Sequence, residues 1–148
     1  IDVVRADLSE DLTQYKIAVL GATFKPDSDD VRDSPALDIA AQLSAAGAQV
    51  VVHDPKGIEP ARKRFPNLDY QEKVADAVKG ADAILHLTEW KQYRELDPTA
   101  IKALTKGTLI IDLLAFSLAL RIASGTSAAF PRPYPTRPFV SPTTTKGW

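Results

Sequence analysis

Lys16-Ile17-Ala18-Val19-Leu20-Gly21 decides the fold. A short run of mostly apolar, branched residues that ends at a lone glycine is the profile of a strand buried on both faces. After a polar loop over residues 23–33, Ser34-Pro35 opens a segment in which Leu37, Ile39, Ala40, Leu43 and Ala46 recur at helical spacing. Ser34 suits the N-cap, Pro35 the first helical position and Gly47 the stop. Gln49-Val50-Val51-Val52-His53 follows as a second β-rich run, closed by Asp54-Pro55. Strand, loop, helix and strand within residues 16–53 predict a right-handed βαβ unit.

The alternation continues downstream. The pattern predicts a helix through 72–78, a strand at 83–87, a helix over 98–104 and a strand at 108–111. Four short strands separated by helices predict an α/β fold, a Rossmann-like three-layer sandwich with a mostly parallel sheet. Upstream, residues 1–14 are polar and charged and read as a connector with a short helix around 7–12. Downstream, residues 113–148 hold Pro131, Pro133, Pro135, Pro138 and Pro142 and no acid. Such proline density predicts an irregular tail, with room for an apolar helix over 113–122. The α/β domain is therefore expected over 15–112.

At 148 residues the chain has room for one domain with a proper core. It starts at Ile1 and lacks methionine, and reads as a piece of a longer protein. Without cysteine there is no disulfide, thiolate metal site or cysteine nucleophile. His53 and His86 fall inside predicted strands, where ordinary packing is the expected role; no metal site is expected. Net charge is −1, but residues 1–112 carry 14 basic and 19 acidic side chains, and 113–148 carry four basic ones. A mildly acidic body offers no broad basic surface for nucleic acid, so a phosphate ligand would need local donors. No apolar run is long enough to cross a membrane and residues 1–14 lack the basic-then-apolar pattern of a signal peptide, so a soluble, cytoplasmic chain is the expectation.

The richest chemistry lies in Gly21-Ala22-Thr23-Phe24-Lys25-Pro26-Asp27-Ser28-Asp29-Asp30-Val31-Arg32-Asp33-Ser34-Pro35. This loop follows the first strand, at the carboxyl edge of the sheet, where open α/β folds bind ligands. Gly21 stands alone, so the Gly-x-Gly-x-x-Gly grip on a pyrophosphate is missing. Lys25 and Arg32 can hold phosphate oxygens, or can pair with Asp27, Asp29, Asp30 and Asp33 in a solvated loop. Asp54 stands where a dinucleotide domain keeps its ribose-binding acid, yet Asp-Pro is also an ordinary turn opener, the reading preferred here. Glu89 and Trp90 sit at a strand's carboxyl end, with Trp90 expected to pack over the sheet edge.

Residues 21–35 resemble the signature of the UDP-glucose/GDP-mannose dehydrogenase family. His53-Asp54-Pro55, Ala81-Asp82-Ala83 and Thr88-Glu89-Trp90 extend the resemblance over roughly residues 7–112. It implies an NAD-dependent oxidoreductase that oxidises the C6 hydroxyl of a nucleotide sugar to a carboxylate. NAD and the cysteine nucleophile belong to an N-terminal Rossmann domain, and a central helix makes the dimer. The part resembled here is the C-terminal, UDP-binding domain, inactive alone and holding no catalytic residue. By position, Phe24 and Lys25 resemble the substrate-contacting pair, and Arg32 the residue that reaches across to bound NAD. Asp29 and Asp30 are expected to orient these cations. The Phe-Lys-Pro and Thr-Glu-Trp contexts resemble the UDP-glucose branch, so UDP-glucose is the implied ligand, with UDP-N-acetyl-mannosamine and GDP-mannose as alternatives.

The family continues after the last strand with Asp-x-Arg-Asn, whereas this chain reads Asp112-Leu113-Leu114-Ala115. A missing arginine would weaken substrate binding, a charged hydrogen bond being worth about 1.5–3 kcal/mol. A shifted reading frame or a cloning scar beyond about residue 112 would account for the change, and sequencing the coding DNA tests this. Two other readings stand beside the leading one: a free-standing interaction or nucleotide-binding module with a degenerate site, and an ordinary dinucleotide-binding dehydrogenase domain.

Overall fold

The computed structural model describes residues 1–107 and 109–112. Helix α1 covers Asp2–Asp7, strand β1 Lys16–Leu20, α2 Pro35–Ala45, β2 Gln49–His53, α3 Ile58–Arg64 and β3 Asp69–Tyr70. Then come α4 Val74–Val78, β4 Ala83–His86, α5 Lys91–Arg94, α6 Pro98–Leu104 and β5 Leu109–Asp112. The strands form one sheet in the order β3-β2-β1-β4-β5, and every pairing is parallel. This is the α/β, Rossmann-like arrangement that the strand–helix alternation predicts.

The period of two in β1 shows why the sheet is covered on both faces. Ile17 and Val19 point into one apolar cluster with Leu37, Ala40 and Leu43 of α2 and with Val50 and Val52 of β2. Ala18 and Leu20 point the other way, joining Val78 of α4, Tyr93 of α5 and Ile101 of α6. All four β1 residues are fully buried. Each large aliphatic side chain removed from water this way contributes about 1.5–3 kcal/mol.

Local chemistry sets the ends of α2 as expected. Ser34 Oγ accepts from the Leu37 amide at 3.5 Å, Pro35 occupies the first turn, and Gly47 adopts φ +100° after the helix. Residues 1–14 depart from expectation. The helix lies at Asp2–Asp7 instead of 7–12, because Ile1, Val4 and Leu8 form the apolar stripe that meets the core. Val4 and Leu12 are buried, so the segment that leads into the domain is tied to its core at two points.

Three elements were not expected. Helix α3 has no side-chain N-cap and holds Pro60, β3 is two residues long, and α5 is a single turn. Residues 87 and 72–73, assigned from sequence to a strand and a helix, fall just outside β4 and α4. The apolar helix over 113–122 and the irregular proline-rich tail lie outside the described residues.

Candidate functional site

The chain runs from β1 outward to β2 and β3, then crosses back to β4 on the other side of β1. The loops after β1 and β4 therefore flank the topological switch point, where open parallel sheets bind ligands. Here the two loops touch. Thr88 Oγ1 donates to the Thr23 carbonyl at 2.8 Å. A Cβ on Gly21, which has φ +105°, would lie 2.5 Å from Thr88 Cβ and 2.6 Å from Thr88 N. Thr88 thus occupies the space beside Gly21, and the loop lacks further glycines, so the residues present at this point do not fit an NAD pyrophosphate. The residue spacing and the packing agree in disfavouring an ordinary dinucleotide domain.

One carboxylate organises the rim. Asp54, 2% exposed, directly follows β2 and accepts from the Ala22 amide at 2.7 Å, the Thr23 amide at 3.1 Å and the Thr23 hydroxyl at 3.2 Å. The Trp90 indole donates to the same oxygen, Oδ2, at 3.2 Å. Oδ1 takes the Lys56 and Gly57 amides at 3.0 and 2.7 Å, closing the turn expected of Asp-Pro. A buried carboxylate is tolerated only with such dense donation. Both oxygens are engaged by protein donors, which leaves Asp54 as an anchor and not a ribose ligand. Gly57 is needed for this closeness, since a Cβ there would meet Thr23 Cγ2 at 2.7 Å.

From this anchor the loop over 24–33 projects outward. The Phe24 amide donates to the Asp30 carbonyl at 3.0 Å, and Ser34 Oγ donates to the Ala22 carbonyl at 2.6 Å, so the loop is pinched at its base. Asp27 and Asp33 adopt left-handed φ values of 60° and 50°, a conformation aspartate visits more readily than most residues. Phe24 is 64% exposed, a large apolar side chain left in water. Lys25 is exposed beside it. Arg32 donates through Nε and Nη2 to the two oxygens of Asp30, both at 3.0 Å. That fork holds the Asp30 carboxyl at about 2, with Lys25 adding to the pull. Reciprocally, the Asp30 hydrogen bond raises Arg32 above its ordinary value.

Phe24, Asp30, Arg32 and Asp33 line one shallow open depression. The structure thus brings Phe24 and Arg32 to a common surface, with Lys25 on the same loop. Arg32 pairs with Asp30 among the four aspartates of the loop, and Asp29 is exposed. Sequence reasoning missed Asp54 as the anchor, together with Thr23 and Thr88. The donors converging on Asp54 come from residues 22–23 and 90, distances along the chain that no local pattern reveals.

Beneath the rim, His53 and His86 are buried as strand packing predicts, at 4% and 0% exposure. Tyr93 stands edge-on to both rings. Its hydroxyl donates to the His53 carbonyl at 3.0 Å and lies 2.8 Å from His53 Nδ1. Burial lowers the His53 pKa and raises that of Tyr93 well above the usual phenol value. Trp90 packs in the cluster under α5 as expected, and Glu89 pairs with Arg94. Among the described residues no group of three or more acidic or histidine ligands could hold a metal, and no helix is long and apolar enough to cross a membrane.

Residues 18–117 match the model of the UDP-glucose/GDP-mannose dehydrogenase family, UDP binding domain. The UDP-glucose 6-dehydrogenase of Rhizobium meliloti is 46% identical over 103 residues, 70% of this chain and 24% of that protein. A UDP-glucose dehydrogenase structure from Pyrobaculum islandicum superposes with a TM-score of 0.65 at 31% identity, over 75% of this chain and 24% of the other. The UDP-N-acetyl-mannosamine dehydrogenase Cap5O of Staphylococcus aureus gives 0.62 at 28% identity, over 77% and 26%. The chain spans about a quarter of the length of these relatives. With about two thirds of its residues inside the match and the switch-point loop at its centre, the chain belongs to the UDP-glucose/GDP-mannose dehydrogenase family, as its UDP binding domain.

Proposed function

We propose that the chain is the C-terminal, substrate-holding part of an NAD-dependent UDP-glucose 6-dehydrogenase, which oxidises UDP-glucose to UDP-glucuronate. One observation carries the reading: a loop pinned at the sheet's carboxyl edge displays an exposed aromatic ring beside a lysine and an arginine. An uncovered phenyl ring gives an apolar surface for the base or sugar, and two cations answer a diphosphate.

In this reading Phe24 packs against the nucleotide sugar and the Lys25 ammonium contacts its polar oxygens. Arg32, its side chain 82% exposed, reaches to NAD held by the rest of the enzyme, and Asp30 fixes its direction. Taking the C6 alcohol to a carboxylate is two two-electron oxidations, for which two NAD molecules bound in succession would supply the hydride acceptors. This chain's residues bind and orient, and none is assigned a catalytic step. The binding unit is residues 15–112, with 1–14 packed against its core. A homodimer and a cytoplasmic location belong to the same reading. UDP-glucose is preferred over UDP-N-acetyl-mannosamine and GDP-mannose because the 46% identical relative is a UDP-glucose 6-dehydrogenase.

Calorimetric titration of the chain with UDP, UDP-glucose, GDP and NAD tests the reading. Saturable UDP and UDP-glucose binding that disappears in Lys25→Ala, with NAD silent, is expected. Saturable NAD binding, UDP binding indifferent to Lys25→Ala, or no UDP binding at millimolar concentration would overturn it.

A further inference from the structure

Three loops leave the carboxyl edge of the sheet near the candidate site, after β1, β2 and β4, and one side chain from each meets at a single point. Asp54 Oδ2 holds the Thr23 amide and hydroxyl from the first loop and the Trp90 indole from the third. Thr88 closes the triangle through the Thr23 carbonyl. Thr23 is the residue immediately before Phe24 and is 1% exposed. Its backbone is thus held on both sides, amide by Asp54 and carbonyl by Thr88, and it sets the direction in which Phe24 and Lys25 emerge.

We propose that Trp90, through Asp54, is a positioning residue for nucleotide-sugar binding, holding the Thr23 peptide so that Phe24 and Lys25 are presented in their binding conformation. The inference rests on the reading that Phe24 and Lys25 contact the ligand. Trp90 is 5% exposed and lies on the anchor's buried side, so it acts without touching the ligand. Its indole N–H is oriented by packing in the cluster with Leu20, Ile84 and Tyr93. A phenylalanine would keep an aromatic ring in that cluster and remove only the donor.

Removing one of four donors to Oδ2 releases the peptide part of the time, and apparent affinity falls by the fraction of molecules in which the loop remains set. If that fraction drops to about one fifth, the UDP dissociation constant rises about fivefold. The test compares UDP affinity, per folded molecule, in the wild-type chain, Trp90→Phe, Lys25→Ala and Tyr70→Phe, with urea unfolding of each. Tyr70→Phe is the control for plain destabilisation, since that hydroxyl donates to the Ala61 and Phe65 carbonyls far from the loop. Expected are weaker UDP binding in Trp90→Phe, shifted amide resonances at Ala22, Thr23 and Phe24, and unchanged affinity in Tyr70→Phe. Unchanged affinity in Trp90→Phe with a lowered unfolding midpoint overturns the positioning role and leaves Trp90 as core. Unchanged affinity in Lys25→Ala, or no UDP binding by the wild-type chain, removes the binding reading itself and the inference with it. Should Trp90→Phe not fold, Trp90→Leu, which keeps an apolar side chain in the cluster and likewise removes the indole donor to Asp54, carries the same expectation and the same refutation.

Discussion

Asp54→Asn changes one oxygen to an amide nitrogen and almost nothing in size, yet the geometry makes it severe. Oδ2 accepts four donors, from the Ala22 and Thr23 amides, the Thr23 hydroxyl and the Trp90 indole. Oδ1 accepts two, from the Lys56 and Gly57 amides. Whichever way the asparagine turns, its NH2 group faces N–H donors. The better choice keeps the oxygen toward Ala22, Thr23 and Trp90 and abandons Lys56 and Gly57. Two bonds to a charged acceptor are then lost, at about 1.5–3 kcal/mol each, a total of about 3–6 kcal/mol. That is a large part of the roughly 5–15 kcal/mol by which domains are stable. Urea unfolding followed by circular dichroism, at unchanged slope, gives the number directly. A loss below about 1 kcal/mol would refute the assignment of Asp54 as a densely donated anchor.

Gly21→Ala places a side chain at φ +105° and 2.6 Å from the Thr88 amide, so about 2–4 kcal/mol of stability is expected to disappear in a urea melt. Ser34→Ala removes the cap of α2 and the bond to the Ala22 carbonyl, lowering stability by about 1–2 kcal/mol in the same assay. His53 is held neutral by burial with its folded pKa below the unfolded 6.5, so the unfolded state binds the proton first. Stability is therefore complete above about pH 6.5 and declines as pH falls from there toward the folded value, a slope that His53→Gln should flatten in unfolding titrations between about pH 6.5 and 5.5. Asp30, kept at about 2 by Arg32, stays ionised through that window, so the Arg32 Nε proton should keep its hydrogen-bonded shift in spectra recorded down to about pH 4.

The strands β1, β2 and β4 and the helix α2 were legible because each carries its own punctuation. Gly21 ends β1, Ser34-Pro35 starts α2, Gly47 ends it and Asp54-Pro55 closes β2. Helices α3 and α5 and strand β3 carry little such punctuation; they are stabilised by tertiary contacts of Ala61, Tyr93 and Tyr70, which no window of sequence displays. Helix α1 was misplaced because charge along residues 1–14 concealed the Ile1, Val4, Leu8 stripe. At the site, the polar loop with its lysine and arginine was readable from the residues, whereas Phe24 was singled out only by the family resemblance. The Asp54 anchor was not, since Asp-Pro announces only a local turn, and its partners arrive from two other loops.

The most direct test is where UDP sits on the folded chain. Proton nuclear Overhauser contacts between bound UDP and assigned side chains locate it without reference to activity. Contacts from the uracil or ribose protons to the Phe24 ring, with shifts at Lys25, are predicted. Contacts confined to the opposite edge of the sheet, near Gly47 or Gly80, would contradict the account.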